Sequence, residues 1–229
     1  MIKHIVFDCY GTLVDTGKGS IKAVEKILEN VGSNVLAKEF YADWKRIKKR
    51  MISTEDFQTE KKFFEKSLGE TFSKYGIVAD AAVEVKPMID SVFSERFIFD
   101  DVLNVLQKLS ELEVDYAIGS TTDTDSIMYH LQLNKLQIKQ VFTSEDMRVY
   151  KPKEKFYNTI LHKTGWNAAE CLFVGDNYED DVCGPKSVGM KAVLLDRKCS
   201  FNKIGFSLQP DYIIPNLYEL INILEVCND

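Results

Sequence analysis

The first fifteen residues, MIKHIVFDCYGTLVD, constrain this chain more than any other stretch. Ile2 to Phe7 is a short apolar run with β-branched residues, broken only by Lys3 and His4. That pattern predicts a buried strand of a parallel sheet rather than a helix. Asp8 follows at once. A carboxylate at the carboxyl end of such a strand stands where open α/β sheets bind ligands. Gly11 then turns the chain, Thr12 offers a small hydroxyl near the carboxylate, and Asp15 and Thr16 lead towards a helix. Taken alone, Asp8 reads equally well as a turn cap.

From Lys18 to Phe93 the chain changes character, and no strand pattern interrupts it. Ile21, Val24, Ile27, Leu28 and Val31 recur at helical spacing up to Gly32. Phe40, Trp44, Ile47 and Met51 mark a second helix. Phe57, Phe63, Phe64 and Leu68 mark a third, closed by Gly69, and Val83, Pro87, Met88 and Val92 a fourth. A block of this size suits a small helical bundle. Beyond it, strands are expected at Ile2–Phe7, Val114–Gly119, Gln140–Thr143, Glu170–Val174, Lys191–Leu195 and Asp211–Ile214. Helices are expected between them, with a last one over Asn216–Val226. Such alternation predicts an α/β fold with a doubly wound parallel sheet. The expected division is a core domain of residues 1–16 and 95–229, with residues 17–94 inserted as a helical cap.

Composition narrows the function. The 229 residues carry 35 Asp and Glu against 29 Lys and Arg, a net charge of −6, which argues against a general nucleic-acid binder. Five cysteines (Cys9, Cys171, Cys183, Cys199, Cys227) are odd in number and lack CxxC spacing. They predict reduced thiols in a cytoplasmic protein rather than a disulfide framework or zinc site. Cys9 has no histidine nearby in sequence to activate it and reads as a small buried residue. No apolar run approaches the length of a membrane span, so no membrane partner is expected.

Four polar groups stand at or just after strand ends: Asp8, Ser120, Lys151 and Asp176. In a parallel sheet all carboxyl ends lie on one edge, so these groups can converge. Their contexts are FDCYGTLVD, GSTT, VYKP and VGDNYEDDV. Together and in this order they resemble the four motifs of the haloacid dehalogenase-like hydrolase superfamily, over essentially the whole chain. The resemblance implies a Rossmann-like core with a helical cap inserted after the first motif. It implies that Asp8 is the nucleophile, that Ser120 binds the transferring group beside Thr12 and Thr121, and that Lys151 neutralises the intermediate. It also implies Mg²⁺ held by Asp8, the Tyr10 carbonyl, Asp176 and a distal acid. Asp181 matches that acid best and Asp180 is the alternative. The plain reading of Glu179–Asp181 is a solvated helix start, where acids favour the dipole. In dehalogenases of the superfamily a cap helix carries, after a Trp, an Arg that meets the anionic substrate. Here Trp44 is followed by Lys45, a departure from that pattern, so Lys45 or Arg46 is the candidate for this role. Their plain reading is a solvated helix face.

Two positions point in different directions. Phosphatases of the superfamily spell the first motif DxDGT, the second Asp being the acid/base. Tyr10 stands there, as in 2-haloacid dehalogenases, which need no metal. Asp176 and the acids after it give the metal-binding spelling of the fourth motif. A carboxylate at Asp176 close to Asp8 is repulsive unless a cation lies between them. The expected function is therefore Mg²⁺-dependent hydrolysis of a small phosphate ester through an aspartyl-phosphate on Asp8. A metal-free 2-haloacid dehalogenase is the alternative. Two further readings are a phosphonoacetaldehyde hydrolase, suggested by GSTT and needing a Schiff-base lysine among Lys45, Lys48 and Lys49, and a non-catalytic binding module.

Overall fold

The computed structural model describes residues 1–199 and 207–225 and, for residues 226–228, the backbone but not the side chains. Six strands form one sheet: β1 (His4–Phe7), β2 (Asp115–Ser120), β3 (Val141–Thr143), β4 (Cys171–Gly175), β5 (Lys191–Leu195) and β6 (Tyr212–Ile214). Every pairing is parallel, in the order β3-β2-β1-β4-β5-β6. β1 is thus central, with β2 on one side and β4 on the other. The chain leaves β1 towards β2 on one side and leaves β4 towards β5 on the other, and the resulting crevice lies beyond the carboxyl ends of these strands.

Both faces of β1 are covered, which is why it reads as a continuous apolar run. Ile5 and Phe7 pack with α6 (Val102–Glu111), α7 (Thr124–Leu133) and α11 (Tyr218–Asn228). Val6 faces the other way, against Phe156, Tyr157 and Ile160 of α9 (Glu154–Thr164).

Residues 19–92 contain only helices: α1 (Gly19–Asn30), α2 (Ala37–Thr54), α3 (Glu60–Lys74), α4 (Ala81–Glu84) and α5 (Lys86–Val92). They share a core of their own, built on Val24, Ile27, Phe40, Trp44, Leu68 and Phe72. Trp44 is fully buried there, and its Nε1 donates to Ser67 Oγ at 2.7 Å. A second cluster joins Ile47, Met51 and Phe63 of this layer to Tyr150 of the sheet layer.

Two expected helix boundaries fail. Gly69 does not close the third helix, which runs on to Lys74 and leaves Phe57 outside it. One interior glycine costs about 1 kcal/mol, and burying Thr71 and Phe72 beyond it outweighs that. The expected fourth helix is two short ones, because Pro87 has no N–H to give to Val83 and the chain resets at Val85. The short helices α8 (Ser144–Met147) and α10 (Gly184–Ser187) complete the order, with a wide i→i+5 turn over Tyr178–Cys183. Cys9, Cys171, Cys183 and Cys199 are unpaired, and Cys9 is fully buried. The Cys227 side chain lies outside the described residues.

Candidate active site

Asp8 leaves β1 with its N–H on Val174 O at 2.8 Å, which continues the sheet by one residue and points the chain at the crevice. Lys151 is 4% exposed, and its Nζ donates to Asp8 Oδ1 and to Asp181 Oδ1, each at 2.8 Å. Asp181 Oδ2 also accepts the Asn177 N–H at 2.9 Å. Ligand oxygens of Asp8, Asp176 and Asp181 lie within 4.8 Å of one another. The loops are cut to fit these carboxylates. A side chain on Gly11, whose φ is +92°, would stand 2.3 Å from Asp176 Oδ2. One on Gly175 would stand 2.2 Å from Asp181 Oδ2.

Electrostatics follow from this crowding. Burial, helped by the charges of Asp181 and Asp176, pushes Asp8 up to about 7 against the pull of Lys151. Burial and Asp181 raise Asp176 to about 6, and burial raises Asp180 to about 6. Burial alone would lower Lys151, but the two carboxylates on it win and hold it above its ordinary value. The lysine is therefore a fixed cation, while three acids converge on one charge. A hard divalent ion with oxygen ligands fits that deficit, and the carboxylates retain lone pairs for it.

Ser120 is 2% exposed and lines the same small cavity of about 190 Å³ as Asp8, Thr121, Lys151, Asp176 and Asp181. Asp180 lines it too but lies outside the three-carboxylate cluster. A larger cavity of about 570 Å³ opens beside it, under α2, and the two share Tyr10, Glu60, Thr121, Thr122, Lys151, Asn177 and Asp180 on their walls.

Several expected site residues are placed elsewhere. Thr12 is fully buried, lines neither cavity, and its hydroxyl has no hydrogen-bond partner among the described residues. Arg46 points away and pairs with Asp43 at 2.6 Å. Lys45 does line the larger cavity, at its exposed rim. Lys48 is held by Glu60 at 2.8 Å and Lys49 by Glu179, so neither is the unpaired, desolvated amine that a Schiff base needs.

Tyr10 is fixed by a partner 120 positions away. His130 Nε2 donates to Ser94 O at 3.0 Å, which leaves Nδ1 to accept from the Tyr10 hydroxyl at 2.8 Å. Burial holds His130 below its ordinary value, consistent with the neutral ring, and holds Tyr10 well above its own.

Sequence reasoning missed the residues that join the helical layer to the site. Asp123 accepts the N–H groups of Glu60 (2.7 Å) and Lys61 (3.2 Å), capping α3 from the sheet side. Glu60 accepts from Thr122 Oγ1 at 3.1 Å, and Tyr150 donates to Gln58 O at 3.1 Å. The only local signal was Thr59, which caps α3 within its own segment.

The sequence profile of the haloacid dehalogenase-like hydrolases matches residues 5–195. Ribulose-1,5-bisphosphate 5-phosphatase of Halopiger xanaduensis is 29% identical over 143 residues, 57% of this chain and 58% of that protein, so the chain spans little more than half of that relative. (S)-2-haloacid dehalogenase 4A of Burkholderia cepacia is 24% identical over 201 residues, 86% of this chain and 84% of that one. Among solved structures, the HAD-hydrolase YfnB from Bacillus subtilis, bound to magnesium, superposes with a TM-score of 0.80 over 98% of this chain and 99% of that one, at 19% identity. At that identity the likeness establishes the fold.

Proposed function

The chain belongs to the haloacid dehalogenase-like hydrolases, and from that premise we propose that it is a Mg²⁺-dependent phosphatase of a small phosphorylated metabolite. The observation that carries this reading is the cluster of Asp8, Asp176 and Asp181 within 4.8 Å around a single lysine. A metal-free reaction gains nothing from a third carboxylate there, and its charge would oppose an anionic substrate.

In this reading Asp8 attacks phosphorus. A bond forms from its carboxylate oxygen, the ester bond to the leaving alcohol breaks, and the alcohol leaves with a proton from solvent. Water then hydrolyses the aspartyl-phosphate and regenerates Asp8. Lys151 holds Asp8 Oδ1 and neutralises the intermediate. Ser120, with Thr121 beside it, donates to the phosphoryl oxygens. Asp8, Asp176, Asp181 and the Tyr10 carbonyl would hold Mg²⁺, which supplies charge neutralisation for the phosphoryl group. Asp181 is favoured over Asp180 because it completes the cluster. Residues 17–94 act as a cap over the site, and residues 1–16 with the described part of 95–229 form the core. The unpaired thiols support a cytoplasmic setting, and no described helix is long and apolar enough to cross a membrane.

The test is phosphate release from p-nitrophenyl phosphate in Mg²⁺ and in EDTA, beside halide release from 2-chloropropionate, for the wild type and Asp176→Asn. Phosphate release that needs Mg²⁺ and falls about 10- to 100-fold in Asp176→Asn is expected. Halide release that survives both EDTA and the substitution would move the chain to the dehalogenases, the reading that Tyr10 favours.

A further inference from the structure

The larger cavity carries a charge pattern that the phosphoryl-transfer residues do not use. In an acidic chain, it is lined by Lys45, Lys48, Lys49, Arg96 and Lys153 against the carboxylates of Glu60 and Asp180. Most of these cations are accounted for. Lys48 is paired with Glu60 and Lys49 with Glu179. Lys45 and Lys153 are exposed, and solvent screens them.

Arg96 is different. It is half-buried, and its Nε is buried without a hydrogen-bond partner among the described residues. One terminal nitrogen donates to Ser91 O at 2.7 Å. No described carboxylate comes within ion-pair distance of it, although nearly every other half-buried cation here has one. A guanidinium always carries its charge, and its five donors form a planar fork that suits a carboxylate or phosphate. Its guanidinium carbon lies 5.4 Å from the centre of the Tyr10 ring. Tyr10 also lines the small cavity with Asp8, so Arg96 stands one aromatic ring away from the chemistry. The cavity that Arg96 lines is walled by apolar groups at Tyr41, Phe64, Met88 and Val92.

We propose that Arg96 binds a second anionic group of the substrate, a carboxylate or a phosphate, across a short apolar body. The claim rests on the phosphatase reading for the first anion. The substrate class is then a phosphate monoester with two anionic ends, and a cavity of about 570 Å³ has room for that body.

The experiment is titration calorimetry in Mg²⁺ with three kinds of phosphonate: benzylphosphonate, its 2-, 3- and 4-carboxy derivatives, and a phenylene-bridged bisphosphonate. At least one two-anion ligand should bind about tenfold tighter than benzylphosphonate. That advantage should vanish in Arg96→Met and be partly kept in Arg96→Lys, while benzylphosphonate itself binds all three proteins alike. The carboxylate and phosphonate arms identify the second anion. Equal binding of all ligands to the wild type would overturn the proposal, and so would an advantage that persists in Arg96→Met. If Arg96→Met does not fold, the wild-type ranking and Arg96→Lys still decide. Failure of the phosphatase reading shows separately, as absent Mg²⁺-dependent turnover of p-nitrophenyl phosphate, which has no second anion.

Discussion

Raising the pH in EDTA should strip the folded protein of stability that Mg²⁺ then restores. The perturbed group is Asp8, 7% exposed, which keeps its proton to about 7 in the folded chain against an ordinary value of 3.8. A raised carboxylate binds more protons folded than unfolded between these values. Its contribution is therefore whole below pH 3.8 and is lost as pH climbs through 7. At 1.36 kcal/mol per pH unit the interval is worth about 4 kcal/mol as a ceiling. Asp176 adds in the same direction up to about 6. It is more than a third exposed, and solvent screening reduces its share to about 1 kcal/mol. Lys151 stays protonated throughout and does not enter. His4 and His130 act oppositely, because burial lowers both and the unfolded chain takes up their protons first near 6.5. They are common to both conditions, so the quantity to read is the gap between melting curves in Mg²⁺ and in EDTA, from pH 5 to pH 7.5. For a chain of this size 1 kcal/mol moves Tm by about 3 °C. Mg²⁺ at 100 times its Kd contributes about 2.7 kcal/mol, so the gap should open to about 8 °C at pH 7.5 and close towards pH 5. A gap that is absent, or equal at both ends, would refute the claim that these carboxylates are uncompensated without a cation.

Two substitutions test the frame of the site. Gly11→Ala puts a side chain into a φ of +92° and into Asp176 Oδ2. It should cost about 1–3 kcal/mol and weaken the Mg²⁺ dependence of turnover about tenfold, and a Mg²⁺ titration identical to wild type would count against Gly11 as the cradle of Asp176. Asp101→Ala removes the buried carboxylate that accepts from Arg197 at 2.8 and 3.0 Å and from the Leu217 N–H at 2.8 Å. It leaves the guanidinium half-buried and unpaired, so urea unfolding should show a loss of about 3–5 kcal/mol, and a loss below about 1 kcal/mol would contradict that ledger.

The parts of this molecule legible in the sequence are those whose signal is local. The six strands lie close to where the apolar runs put them, and Asp8, Ser120 and Asp176 share one edge because a parallel sheet places carboxyl ends together. The convergence of Lys151 on Asp8 and Asp181 was readable from motif order and not from spacing, since the lysine comes from a loop 143 residues beyond Asp8. What the chain hides is rotation and long-range pairing. Arg46 and Lys45 are adjacent, yet helical rotation sends one to Asp43 and the other to the cavity rim. Asp123 as the cap of α3, and Arg96 as a half-buried cation, depend on contacts between layers that no local pattern encodes.

Tyr10 shows the limit most sharply. Read alone it is a residue that replaces an acid with a poor base. In the fold its hydroxyl is committed to His130, His130 is committed to Ser94, and Ser94 lies where the helical layer returns to the sheet. Asn134, one turn further on, takes the Arg96 carbonyl and the Ile98 N–H of the same return segment. The side chain that departs from the phosphatase spelling thus belongs to the joint that holds Arg96 in place. The Tyr10 hydroxyl is taken up in fastening the helical layer, and in the phosphatase proposed above the leaving alcohol takes its proton from solvent.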